Sequence, residues 1–374
     1  MRTLRLSWVS LSLWLSLFAL LPSVTVAQPA PVLSVISSSA EADFPTDMQF
    51  DLKATTGEQV ESIDLVYREA NLDTLELLPA TFEQSGDDVS ADAGADFTVN
   101  FLPVGIDLTY HWAITFDDQS VFETNEAAAT WIDSRFDWKL AKGTGVEIYS
   151  YDRSQSFVDY MVKTSEDAVV AMTALYQPAS TFPIRIWAYE SGKDYAGTLA
   201  ANSQEWSAGS AYPDLQVIQA VIPDGSKSEV DRVLPHEVSH QILHMATLNP
   251  FNQPATWIDE GLATHAQIGG IGDYPAIVSD ALADGDLLSL RSLISSFPYD
   301  SGEARLAYAE SYSVTGYISD RWGDDGIRAI VRAYREGNSQ EDVIEKALGM
   351  TLDELQSAWT ASVEAQSRTN AGLI

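Results

Sequence analysis

Residues 236–240 read His-Glu-Val-Ser-His, two imidazoles four positions apart with a carboxylate between them. On a helix, positions four apart share one face, displaced by about 6 Å of rise and about 40° of rotation. Both rings then point at one place. Zinc takes such a pair at about 2.0–2.1 Å per nitrogen, needs a third protein ligand and keeps one position for water. Glu237 sits beside the first histidine, rotated off the ligand axis, where it can reach that water without binding the metal. The spacing therefore fits metal-assisted hydrolysis with a carboxylate as general base. His236, His240, His244 and His265, four of the five histidines, fall in one window, a clustering that packing does not demand. Val238, Ser239, Gln241 and Ile242 are uncharged, as suits a helix buried beneath a cleft.

The third ligand has to come from downstream. His244 is on the same helix face but about 6 Å beyond His240, a place for packing or for supporting a ligand. Asp259 and Glu260 lie in Trp257-Ile-Asp-Glu-Gly261, with His265 just after. The intervening stretch carries Pro250, Pro254 and two Asn and predicts a loop that returns the chain as a second helix. Gly261 would let that helix approach the first closely. Ser226 and Glu229 predict a capping box that starts the first helix near Lys227, and Pro235 predicts a bend in it.

Together, HEVSH and the following WIDEGLA resemble the gluzincin zinc metallopeptidases and, within them, the secreted peptidase MA-like proteins. The resemblance implies one catalytic zinc ion held by His236, His240 and Glu260, with Glu237 as the base. It also implies an oxyanion donor from outside the motif. In the zinc aminopeptidases this is the tyrosine of a Tyr-x-x-Gly-x helix, and Tyr308, with Ser311 in the glycine's place, is similar to it. Tyr308, Tyr312 and Tyr317 fit equally as amphipathic core positions, with Tyr308 ahead of Tyr312 as donor. The Gly-x-Met-Glu-Asn segment that those aminopeptidases carry before HExxH has no counterpart here, which favours an endopeptidase. Two rivals stand beside this reading: an exported binding protein with a relic zinc lobe, and a zinc hydrolase of a non-peptide substrate. Intact Glu237 speaks against the relic, which has no need of a base.

The elements that must position these residues divide the chain. Residues 1–27, with Arg2, Arg5, an apolar run over about 8–21, Pro22 and Val26-Ala27, read as a signal peptide cut after Ala27. The expected product is exported, secreted or periplasmic, with no membrane span. There is no cysteine and hence no disulfide framework. A net charge of −33 repels nucleic acid and anionic lipid, and the resemblance implies a peptide or protein substrate as partner.

Across 28–133, β-rich runs at 32–36, 48–53, 63–67, 97–101, 108–116 and 128–132 predict an all-β sandwich. The acidic, small-residue stretch 85–96 predicts a solvated loop. Leu102-Pro-Val-Gly105 and Leu108-Thr-Tyr110-His-Trp112 resemble the turn and tyrosine corner of fibronectin type III/Ig-like domains. That implies a Tyr110 hydroxyl bonded to backbone, Trp112 in the core and His111 facing out. Over 134–366, strands at 146–151, 182–189 and 215–222 with a helix at 154–176 predict a small α/β lobe. In gluzincins an edge strand of that lobe lines the cleft and pairs with peptide, and 215–222 is expected to be that strand. Helices at 274–283, 287–295, 304–321, 325–336, 341–347 and 352–365 predict a helical lobe, and 367–374 a polar tail. The expected fold class is multidomain α+β: an all-β sandwich followed by a thermolysin-like zincin domain.

Overall fold

Alternation of apolar and polar residues builds the N-terminal part. The computed structural model describes residues 32–69, 74–98, 101–199, 208–298 and 300–371, so the expected signal peptide and the end of the tail lie outside the described residues. Strands β1 (Leu33–Asp43), β2 (Asp47–Thr56), β3 (Val60–Glu69), β4 (Glu76–Pro79), β5 (Thr81–Ser85), β6 (Asp88–Asp96), β7 (Ile106–Phe116), β8 (Val121–Glu123) and β9 (Ala127–Trp131) form two antiparallel sheets. One has the order β1-β2-β6-β5; the other runs β4-β3-β7-β8, with β9 also paired to β7. Phe50, Leu52, Ile63, Leu65, Trp112 and Ile114 fill the space between them. The N-terminal region is thus β-rich and the C-terminal region largely helical, a multidomain α+β arrangement.

Three local expectations fail in this region. Residues 88–96 are a strand rather than a loop: Val89, Ala91, Ala93 and Ala95 point inward while the acidic residues face water. Alanine fills the inward positions, so the period of two is carried by side chains too small to stand out. The strand expected at 97–101 does not begin, because residues 97–98 form a turn that carries Phe97 into the core directly after β6, and 99–100 lie outside the described residues. The Tyr110 hydroxyl meets Ser38 Oγ at 3.4 Å instead of backbone, and Trp112 Nε1 donates to the same Oγ at 3.1 Å.

The second layer is a mixed sheet of β10 (Lys139–Gly143), β11 (Val146–Ser150), β12 (Ile184–Tyr189), β13 (Gly209–Tyr212) and β14 (Val217–Val221), in the order β10-β11-β12-β14-β13. Helix α1 (Gln155–Tyr176) joins the parallel pair β11 and β12, and the short α2 (Gly192–Ala196) follows β12. Strand β14 is internal, paired on both sides, and the edge is β13. The expectation that 215–222 forms the edge is therefore corrected. A four-residue Gly-Ser-Ala-Tyr strand has no hydrophobic period of its own and exists because β14 supplies its partner.

The faces of this sheet serve two cores. Ile148, Ile186, Ala188, Ile218 and Ala220 pack with the helices. Trp187, Tyr189 and Val217, from the opposite face, share one apolar cluster with Trp112, Trp131 and the rest of the sandwich. Arg185 and Asp107 pair across the junction at 2.7 Å. Gly105, at φ 101°, passes so close that an added Cβ would lie 2.0 Å from Trp187 Nε1.

The helical region holds α3 (Lys227–Thr247), α4 (Thr256–Ala266), α5 (Tyr274–Asp284), α6 (Ser301–Arg335), α7 (Gln340–Leu348) and α8 (Leu352–Ala371). Gly323, at φ 63° and ψ −167°, breaks α6 into the two segments that its Gly/Asp pattern predicts. Thr351 and Glu354 make the expected reciprocal capping box, whereas Ser226 caps α3 without a side-chain bond. Helix α3 runs through Pro235 without interruption. The carbonyl that proline orphans one turn back, that of Asp231, accepts from Ile268 N at 2.9 Å, so the usual cost is offset.

No helix forms at 287–295. The carbonyls of Leu293 and Ile294 accept from Trp257 N and Thr256 N, the exposed first-turn donors of α4. Glu310 Oε1 and Gln356 Oε1 take the amides of Leu288 and Leu290. Within the segment only a single turn closes, through Ser292 N and Leu293 N to Ser289 O and Leu290 O, while its other named backbone groups are committed to neighbours.

Candidate metal centre

Three anchors hold α3 in place: Gln241 Nε2 donates to Val217 O at 2.9 Å, Ser239 Oγ meets Tyr176 OH at 2.9 Å, and Asp231 accepts from Tyr160 at 2.6 Å. Its buried face carries Val230, Val233, Val238 and Ile242 into the core. The loop after it is tied by Asn249, whose amide bonds Thr247 O and Tyr334 O, and by Tyr334, whose hydroxyl takes Ala255 N. This returns the chain as α4. Gly261 is the contact residue, but against α6 rather than α3: an added Cβ would lie 2.4 Å from Ser311 O.

These constraints bring His236, His240 and Glu260 together. The two Nε2 atoms are 3.2 Å apart, and Glu260 Oε2 lies 3.2 Å from His236 Nε2 and 3.6 Å from His240 Nε2. A tetrahedral ion with bonds of about 2.0–2.1 Å requires donors about 3.3–3.4 Å apart. The three residues form a group that could hold a metal ion. Protonation points the same way. His240 Nδ1 lies 2.5 Å from Asp259 Oδ1, a contact that holds the proton on Nδ1 and turns the Nε2 lone pair inward. Glu260 Oε2 is buried with no hydrogen-bond partner. Acceptors converging on one point suit a cation among them.

The electrostatics express the same demand. Burial alone would lower the His240 pKa, but Asp259 and Glu260 outweigh it and raise it well above the usual range. Burial would likewise raise Glu260, yet His240 and His236 pull it down to about 2. The carboxylates therefore favour positive charge at this point, the charge that a metal ion would bring.

Glu237 lies in the same cleft, buried against Gly209 of β13, where a Cβ would come within 2.5 Å of its Oε1. Burial pushes its carboxyl above the ordinary range, while His236 and His240 oppose that. Tyr308 donates to Glu260 Oε1 at 3.3 Å and lines a cavity of about 340 Å³ together with His236 and Glu237. Burial, then Glu260 and Glu237, drive its hydroxyl pKa upward, so it stays a donor. Tyr312 does not reach the cleft; it stacks on His265 at 4.0 Å, and His265 Nε2 bonds Tyr312 O. Tyr317 packs edge-on to Trp322.

Asp259 stands beside the candidate ligand Glu260, and its sequence position does not reveal what it meets. In the structure it bridges His240 Nδ1 and His244 Nε2, the latter at 2.8 Å. His244 thus supports the carboxylate that orients a candidate ligand. Gln267 meets His236 Nδ1 at 3.0 Å, an interaction with no sequence signal because it joins residues 31 apart.

Residues 164–365 match the family model of the Peptidase MA superfamily. No curated protein matches the chain. Among solved structures, the chain is similar to an aminopeptidase N family protein from Idiomarina loihiensis at 8% identity and a TM-score of 0.40, covering 83% of this chain and 73% of that one. A polysaccharide deacetylase from Bacillus cereus follows at 7% identity and a TM-score of 0.22, with 46% and 56% covered. A purple acid phosphatase from yellow lupin follows at 10% and 0.21, with 60% and 41% covered. These likenesses are too distant to bear on mechanism. The family match spans more than half of the chain and contains all three candidate ligands, and the protein therefore belongs to the Peptidase MA superfamily.

Proposed function

We propose that the protein is an exported zinc-dependent metallopeptidase, with endopeptidase action favoured. The observation that carries the reading is the convergence of His236 Nε2, His240 Nε2 and Glu260 Oε2 beside a buried Glu237 in one cleft. A bound zinc ion supplies a water of lowered pKa and a Lewis acid for the peptide carbonyl. Glu237 takes the proton of the attacking water and delivers it to the leaving amine, a task suited to a carboxyl whose pKa burial has raised. Tyr308 donates to the oxygen on which charge develops. Asp259 keeps the His240 ring in one tautomer. Export rests on the N-terminal sequence, and among the described residues no helix is long and apolar enough to cross a membrane.

The test compares the mature wild-type chain with Glu237→Gln. Metal analysis is expected to find one zinc per chain in both, while digestion of an unfolded protein falls by about 10²–10⁴-fold in the variant. Equal digestion by the two would remove Glu237 from the mechanism. Zinc binding without digestion by either would favour the non-peptide hydrolase or the binding protein.

A further inference from the structure

Two arginines face the cleft of a strongly acidic chain. Against 54 acidic residues the sequence has 21 Lys and Arg, yet Arg232 and Arg305 both line the cavity that holds His236, Glu237 and Tyr308. Among the described residues lining that cavity, Glu237 is the one carboxylate. Arg232 stands four positions before His236 on α3, on the same helix face and one turn away, about 5–6 Å along the axis. Arg305 stands three positions before Tyr308 on α6. The two therefore flank the proposed reaction centre from different helices, at a reach comparable to one or two peptide residues of about 3.3–3.6 Å each.

Each arginine already meets a carboxylate, Arg232 with Glu229 and Arg305 with Asp273, both at 2.5 Å and both through a single Nη2. All four side chains are substantially exposed, and such pairs contribute only about 0–1 kcal/mol. A guanidinium offers five N–H donors in a planar fork that matches a carboxylate. An incoming carboxylate can thus share or replace these contacts at little expense.

We infer that the cleft selects peptides carrying a carboxylate within one or two residues of the scissile bond, with Arg232 and Arg305 as specificity-determining anchors. This rests on the peptidase reading above. The carboxylate comes either from an Asp or Glu side chain or from the free C-terminus of a short substrate. The shared chemistry is recognition by a guanidinium fork.

Three fluorescent peptides separate the cases: a terminally blocked peptide with one Glu, the same peptide with Gln, and the Gln peptide with a free C-terminal carboxylate. Binding is read by anisotropy on zinc-loaded Glu237→Gln and on metal-free wild-type protein. At least one anionic peptide should bind about tenfold or more tighter than the blocked Gln peptide, and which one does so identifies the source. Arg232→Gln and Arg305→Gln should each reduce that ratio severalfold, and the double variant should bring it close to one. Asp273→Asn, which frees Arg305 of its partner and loses no capping bond, should increase the ratio. Equal binding of the three peptides, no binding at all, or an unchanged ratio in the arginine variants overturns the inference. If wild-type zinc protein cleaves neither the peptides nor an unfolded protein, the peptidase reading falls, while the anisotropy ratios still decide the arginines' role.

Discussion

At the scale of single residues, Asp259 has the most to say. One carboxylate sits between His240 and His244, and although burial pushes its pKa up, the two imidazoles hold it far below the usual range. It is an anion held against a candidate ligand, which raises that ligand's basicity. Asp259→Asn keeps the shape but removes the charge. Zinc affinity, measured by competition with a chelator, should fall about 10–100-fold in that variant. Unchanged affinity would mean that the bridge only packs.

At the scale of elements, the site depends on a loop that looks helical in sequence. Residues 287–295 cap α4, and Glu310 of α6 holds the loop through Leu288 N at 2.9 Å. Burial raises the Glu310 carboxyl from 4.5 to about 8, although its bond from Leu288 N works against that. Below pH 4.5 the group is protonated whether the chain is folded or not, so it has no effect on stability there. Between 4.5 and 8 the unfolded chain loses the proton and the folded one keeps it, and stability falls as pH rises. At about 1.4 kcal/mol per unit, the loss is on the order of 4 kcal/mol by pH 8. Glu310→Gln cannot ionise and retains an acceptor for Leu288 N. Its Tm should be close to wild type near pH 4.5 and clearly higher at pH 8. The same Tm difference at both values would show that Glu310 is not buried as a proton-holding acid.

At the scale of the molecule, the sandwich and the mixed sheet share one apolar cluster. Trp187 and Tyr189 are covered by it and almost fully buried. Two aromatic side chains of about 200 Å² each, at about 25 cal/mol per Å², represent about 10 kcal/mol of burial, a cover that the sandwich shares with Phe136, Trp138 and Tyr149 of the following lobe. A domain's whole net stability is about 5–15 kcal/mol. A fragment beginning at residue 134 would expose that face. It should be insoluble, or should bind a hydrophobic dye and melt without a cooperative transition. A soluble fragment with a sharp melt and full zinc content would make the sandwich a mere appendage.

Sequence alone determined what a single helix or strand contains. His236 and His240 share a face because four residues nearly complete a turn, whatever surrounds the helix. The break at Gly323, the capping box at Thr351 and the core positions of β7 are local in the same sense. Tertiary structure decided everything that needs a partner far along the chain. Strand β13 is the sheet edge because β14 offers it a ladder, and 88–96 is a strand because small alanines fit between two sheets. The loop at 287–295 gives its carbonyls to α4, and Asp259 turns toward His240 because α4 is seated by Gly261 on α6. Periodicity reports which way a side chain leaves its own backbone; only packing reports what it meets there.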